Sequence, residues 1–187
     1  MCIRDRIKNV TDDYGVLVLT GPKSREILSQ ITDADLSNEA FPWLRCRQIQ
    51  ISGIPVRALR VSYVGELGWE LHHPMNQMQT LYEQLHQAGK AYGLTDFGTY
   101  AVNSLRMEKA YKAWGGELTT EITPVEADLM RFVDFSKSFI GREATLARKL
   151  QTHALQLVYL SVDAPDCDCL GNCLLYTSPS PRDISRS

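Results

Sequence analysis

The strongest constraint on the fold is a pair of alternating runs, LRCRQIQIS and IPVRALRVSY, that meet at Ser52-Gly53. Apolar residues at every second position give each run one face for a core and one for solvent, a period that no helix satisfies. A two-residue turn ending in glycine joins such runs into a tight antiparallel hairpin. A third run, GWELHH, follows the Gly65 to Gly68 turn, so the three read as an antiparallel meander.

The apolar face of that sheet needs a second layer. Upstream, YGVLVLTGPKSREILSQI gives a short apolar strand, Gly21 as a cap, Pro22 in a first helical turn, and Ile27, Leu28 and Ile31 on one helix face. Downstream, MNQMQTLYEQLHQAGKAYG sets Met78, Leu81, Tyr82, Leu85, Ala88 and Tyr92 at helical spacing and stops near Gly93. Residues 7–93 are therefore expected to form a small α+β layer. From Thr95 or Asp96, either of which caps a helix, Tyr100, Ser104, Met107, Tyr111 and Trp114 fall on one side up to Gly115-Gly116. Val102, Arg106, Ala110 and Ala113 share another, so a guanidinium projects from a strip of small apolar residues and needs an acceptor if the strip packs. The expectation is a helical segment over 94–150, with FIGREATLARKLQ as a short helix, and a β-rich module starting over 151–172 with ALQLVYLSV as its first strand.

The two ends stand apart. Back-translated as TGT CTC TTA TAC ACA TCT, Cys173 to Ser178 has a reverse complement containing ATG TGT ATA AGA GAC, which encodes Met1 to Asp5. A sequencing adapter ligated to both ends of a DNA fragment gives this relation, so residues 1–6 and 173–187 read as adapter translation and the remainder as a piece truncated at both ends. With 44% hydrophobic and 22% charged residues and a formal net charge of −2, the composition is that of a globular protein with no field for nucleic acid or acidic lipid. No apolar run is long enough for a membrane-spanning helix. Setting Cys2 and Cys173 aside leaves Cys46, Cys167 and Cys169, without a disulfide framework, which suits a reducing compartment. The spacing in DAPDCDC does not fit structural zinc, and adjacent His72 and His73 point to opposite faces of a strand as surface and edge residues, so no metal is expected. TGPKS lacks the glycine and the Gly-Lys-Thr of a phosphate loop.

Three blocks, RVSYVGELGWELHHP, DFGTYAVNSLRMEKAYKAWGGELTTEITPVEADL and FIGREA, resemble in that order the glycine-cleavage T-protein (aminomethyltransferase) folate-binding family. Within it they are most similar to the C-terminal folate region of dimethylglycine and sarcosine dehydrogenases. The resemblance implies an antiparallel-sheet, α+β folate-binding domain of the aminomethyltransferase type. It implies tetrahydrofolate as ligand, and FAD only in an N-terminal domain of the complete chain. There a flavin oxidises an N-methyl amine, and a folate ring nitrogen captures the iminium as 5,10-methylenetetrahydrofolate. The family's catalytic aspartate lies upstream of the strand matching VLVLTG, so no catalytic residue is expected here. Folate and the flavin-binding domain are the partners implied. The other readings kept are an aminomethyltransferase of glycine cleavage and a non-catalytic folate-binding or scaffold protein. The compartment implied is cytoplasm, or mitochondrial matrix for a eukaryotic source.

Carried over by position, Glu66 matches a carboxylate that holds the pterin, whose edge presents two parallel N–H donors suited to a bidentate acceptor. Tyr63 matches a pocket aromatic, and Arg106 an arginine on the helix below the pocket. Trp114 and Tyr111 are placed to wall the aminobenzoyl ring by stacking. From the residues alone, Glu66 reads as a solvated turn residue, Arg106 as a helix-surface or ion-pair residue, and Trp114 and Tyr111 as core aromatics.

Overall fold

The computed structural model describes residues 6–151 and 155–160. The chain divides into two compact units, Met1–Tyr111 and Lys112–Ser187.

The first unit is built on four strands: β1 (Tyr14–Thr20), β2 (Cys46–Ile51), β3 (Ile54–Leu59) and β4 (Gly68–Pro74). They form one antiparallel sheet in the order β1-β4-β3-β2. The expected hairpin is present: Ser52 (φ 47°) and Gly53 (φ 81°) both take left-handed backbone, which matches the twist of the two strands they join. Pro55 lies in β3 opposite Gln50, where pairing with β4, which begins at Arg57, has not started, so its missing N–H leaves no gap in that ladder.

Alternation sorts the side chains. Gly15 and Leu19 of β1, Val56 and Ala58 of β3, and Trp69, Leu71 and His73 of β4 face the core, while Val16, Val18, Arg57, Glu70 and His72 occupy the other face. His72 and His73 do point opposite ways. His73, however, is fully buried and not a surface residue: its Nδ1 donates to the Pro74 carbonyl at 3.0 Å. Gly15 stands opposite it because a Cβ there would come within 2.8 Å of the imidazole.

Two helices cover the core face. α1 (Ser24–Leu28) is one short turn that buries Ile27 and Leu28; Ile31, expected on the same face, lies past its end yet still packs against the core. α2 (Met78–Gly89) runs on into a 3-10 turn, Lys90–Tyr92, closed by Gly93 at φ 70°. Leu81, Leu85 and Ala88 form its buried stripe, and each fully buried leucine contributes roughly 2 kcal/mol of apolar burial. The stripe is narrower than the spacing suggests, because Tyr82 and Tyr92 are exposed.

α3 (Thr99–Glu108) starts after Gly98 and ends well before Gly115. Ala110 turns to φ 55°, so Tyr111 and Trp114 are not on the helix.

In the second unit, Trp114 and Leu118 form an isolated bridge, and α4 (Arg142–Leu150) follows Gly141 at φ 90°. The best-buried polar group is Glu126, which accepts from Thr123 N at 3.1 Å, from the Thr123 hydroxyl, and from Arg148 Nε at 2.5 Å. Residues 155–160 form no strand; Leu157 N donates to the Glu126 carbonyl at 3.1 Å. The remainder of the expected 151–172 module, the Asp166 to Cys169 turn, and the ends Met1 to Asp5 and 173–187 lie outside the described residues.

Candidate functional site

β1 is an outer strand, and its consecutive residues Leu17–Thr20 all line a cavity of about 470 Å³. Because neighbours on a strand point to opposite faces, a cavity touching all four runs along the strand's edge. Its other walls are 61–64, Glu70 of β4, Tyr82, Leu85 and His86 of α2, the linker 94–98, and Thr99 and Val102 of α3. This volume lies within the range of small-molecule pockets.

Three sets of interacting polar groups border the cavity. Glu70 stands mid-strand between Val18 of β1 and Leu59 of β3, and His72 Nε2 lies 3.2 Å from its Oε2. A carboxylate in the centre of a sheet, with only a half-exposed histidine against it, keeps acceptor capacity for a ligand. The Thr20 and Ser62 hydroxyls are 3.1 Å apart, and Thr20 Oγ1 also donates to the Leu67 carbonyl at 3.3 Å. Asp96 accepts from Tyr82 Oη at 2.7 Å and meets His86 Nε2 at 3.1 Å. The Tyr82 hydrogen bond, and then the histidine, hold the Asp96 carboxyl below its ordinary range; the same contact with Asp96 pushes the Tyr82 hydroxyl up.

The five residues singled out from the sequence do not come together in this cavity. Tyr63 lines it. Glu66 is not among its walls: Oε1 pairs with Lys109 Nζ at 3.1 Å, and the Lys109 stem lies so close over Gly65 (φ 77°) that a Cβ there would come within 2.4 Å of it. Arg106 is buried in the last turn of α3, where its Nη1 donates to the Tyr111 carbonyl at 2.9 Å and its own carbonyl accepts from Tyr111 N at 2.9 Å. A guanidinium there ties down the chain leaving the helix and meets the negative end of the helix dipole. Tyr111 is partly exposed beside it. Trp114 belongs to the second unit and is 90% exposed, so neither aromatic is a core residue.

The alternation of GWELHH puts Glu70 on the face opposite Trp69 and Leu71, but only the structure shows that its strand is paired on both sides. Asp96 reads locally as a helix cap. Nothing in the sequence shows that its side chain turns back to α2.

The fold and this cavity define an α+β protein whose antiparallel sheet carries a carboxylate-bearing, ligand-sized site at one edge. No helix among the described residues is long and apolar enough to cross a membrane, and no group of three or more metal-ligating side chains occurs among them. Residues 4–137 match the family described as GCVT N-terminal domain, and the chain belongs to that family. It is 46% identical over 168 residues to mitochondrial dimethylglycine dehydrogenase of Mus musculus, covering 89% of this chain and 19% of that protein. Mitochondrial sarcosine dehydrogenase of the same species is 39% identical over 162 residues, with 86% and 18% covered. The aminomethyltransferase of Caldanaerobacter subterraneus subsp. tengcongensis is 40% identical over 153 residues, with 81% and 41% covered. The chain thus spans about a fifth of the length of the dehydrogenases it matches.

Proposed function

We infer that this chain is part of the tetrahydrofolate-binding, one-carbon-transferring region of an N-methyl-amine dehydrogenase of the dimethylglycine or sarcosine type. In the complete enzyme FAD sits in another domain, and the compartment is that of the mitochondrial relatives if the source is eukaryotic. The observation that carries the ligand assignment is the position of Glu70, an ionisable acceptor on the wall of a cavity that Tyr63 also lines. The donor chemistry fits a reduced pterin: two parallel N–H groups on its edge match the two oxygens of a carboxylate, and the aromatic wall suits its flat ring. Folate, when bound, supplies the nucleophilic nitrogen that captures the one-carbon unit. This chain's residues bind and orient it: Glu70 fixes the ring edge, His72 steadies the carboxylate, and the Thr20–Ser62 hydroxyl pair borders the same space.

Glu66, the carboxylate matched by position, is engaged with Lys109, so the geometry favours Glu70 for the pterin and leaves Glu66 to brace the turn. Arg106 supports the site from below by fixing the end of α3. Tyr111, beside Arg106, is kept as a candidate wall for the aminobenzoyl ring. The test is calorimetric binding of tetrahydrofolate to the full-length enzyme. Glu70→Gln replaces an acceptor by a donor facing an N–H and is expected to weaken binding roughly tenfold to a hundredfold, the loss of one charge-assisted hydrogen bond. Glu66→Gln should leave the dissociation constant within about twofold, as for an exposed ion pair. The reverse ranking would return the role to Glu66, and binding unaffected by either change would remove the folate assignment from this cavity.

A further inference from the structure

Between α2 and α3 one side of the cavity is a linker. There the chain leaves the turn at Gly93 and passes through Leu94, whose amide donates to the Gly89 carbonyl at 3.1 Å and whose side chain packs on the core. Residues 95–100 are all exposed, yet Thr95–Thr99 form one side of the cavity, with Phe97 among them. A wall of exposed linker has little apolar burial to hold it and belongs to the class of segments that open at low cost. Its tether is Asp96. One carboxylate oxygen takes the Tyr82 hydroxyl at 2.7 Å and the other meets His86 at 3.1 Å. Tyr82 and His86 are four residues apart on α2, their rings tilted at 44° with centroids 4.4 Å apart, so both partners are held by a packed helix and by each other.

We propose that Asp96 is a positioning residue: its two-point grip on Tyr82 and His86 clamps the 94–99 linker against α2 and so sets the width of the cavity that receives the ligand. The clamp explains why Tyr82 stays at the surface in place of joining the buried stripe of Leu81 and Leu85. It also explains why the linker can carry an aromatic, Phe97, on the cavity side without burying it in the core.

Only the second readout below rests on the folate reading. Asp96→Ala removes both contacts, and Asp96→Asn keeps an oxygen for the Tyr82 hydroxyl and offers an N–H to the imidazole, whose tautomer adjusts. In the full-length, ligand-free protein, backbone hydrogen exchange at Leu94 and Val102, whose amides donate to the Gly89 and Gly98 carbonyls on either side of the clamp, is expected to speed up about tenfold in Asp96→Ala, to stay near wild type in Asp96→Asn, and to be unchanged in β3 and β4. The tetrahydrofolate dissociation constant is then expected to rise about threefold to tenfold in Asp96→Ala and to be rescued in Asp96→Asn. Unchanged exchange in Asp96→Ala overturns the clamp. Faster exchange with unchanged affinity overturns its role in shaping the site. Wild-type protein that fails to bind tetrahydrofolate refutes the folate reading, and the exchange readout then decides the clamp by itself.

Discussion

Replacing Gly68 by alanine should damage the fold where β4 pairs with Thr20, one of the residues lining the cavity. The added Cβ would lie 2.7 Å from the Leu19 carbonyl oxygen, 3.0 Å from Thr20 Oγ1 and 3.1 Å from Thr20 Cα. Ordinary carbon-to-oxygen contact starts near ~3.3 Å, so β4 must withdraw from β1 by roughly 0.6 Å, and two of the three obstacles are backbone atoms that cannot rotate away. Overpacking of this kind costs about 1–3 kcal/mol. The shift also pulls on the neighbouring Leu67 carbonyl, which accepts from Gly21 N at 2.8 Å, Ser24 Oγ at 3.0 Å and Thr20 Oγ1 at 3.3 Å. Losing one of these adds about 1 kcal/mol, for a total of roughly 2–4 kcal/mol. For a unit of this size that lowers the melting temperature by roughly 8–16 °C. Urea denaturation followed by far-ultraviolet circular dichroism measures it through the midpoint at constant slope. A Gly68→Ala variant within about 0.5 kcal/mol of wild type would show that β1 and β4 are not packed as closely as described.

Three further outcomes are expected. Gly98→Ser should stabilise α3 by a few tenths of a kcal/mol, because Gly98 is extended (φ −100°), has nothing within 4 Å of a new Cβ, and caps the helix without a side-chain acceptor; the same urea melts read this. Leu81→Ala should cost about 2–5 kcal/mol by opening a cavity under a fully buried side chain, measured as a lower denaturation midpoint. In the second unit, the Thr123 hydroxyl foremost, with Arg148 assisting against the cost of burial, holds Glu126 down to about 2 from 4.5. A depressed carboxylate stabilises the fold fully above its ordinary range and loses that contribution as pH falls through about 2. Thermal melts between pH 5 and 2 should therefore show a steeper acid decline for wild type than for Glu126→Gln, which should melt several degrees lower at pH 5.

What the sequence made legible is what depends on near neighbours. The period of two over Cys46–Ile51 and Ile54–Leu59, with glycine at the turn, specifies the hairpin by itself, and the leucine spacing of α2 specifies its buried stripe. The end of α3 was not legible. AYKAW continues the helical pattern, but the Arg106 guanidinium binds the Tyr111 carbonyl and Ala110 adopts φ 55°, a side-chain-to-backbone closure for which residue type and spacing carry no signal. Nor was the pairing of β1 with β4, which joins strands separated by α1 and the hairpin. The site suffered from the same limit: nothing in the sequence shows that Lys109 reaches back to Glu66, or that Asp96 turns to Tyr82 and His86 on α2.

The strand order has a consequence for how the molecule is made. The Ser52-Gly53 turn closes two residues, but bringing Thr20 to Gly68 closes the 47 residues from 21 to 67. With closure entropy growing as the logarithm of loop length, the second event costs roughly 3 kcal/mol more than the first, before any contact between β1 and β4 repays it. During synthesis β1 emerges before β2, β3 and β4, and its apolar residues have no partner among these strands until Pro74 is free. The edge that lines the cavity is therefore the last part of this four-stranded sheet to be completed, and β1 stays open to wrong pairing until then.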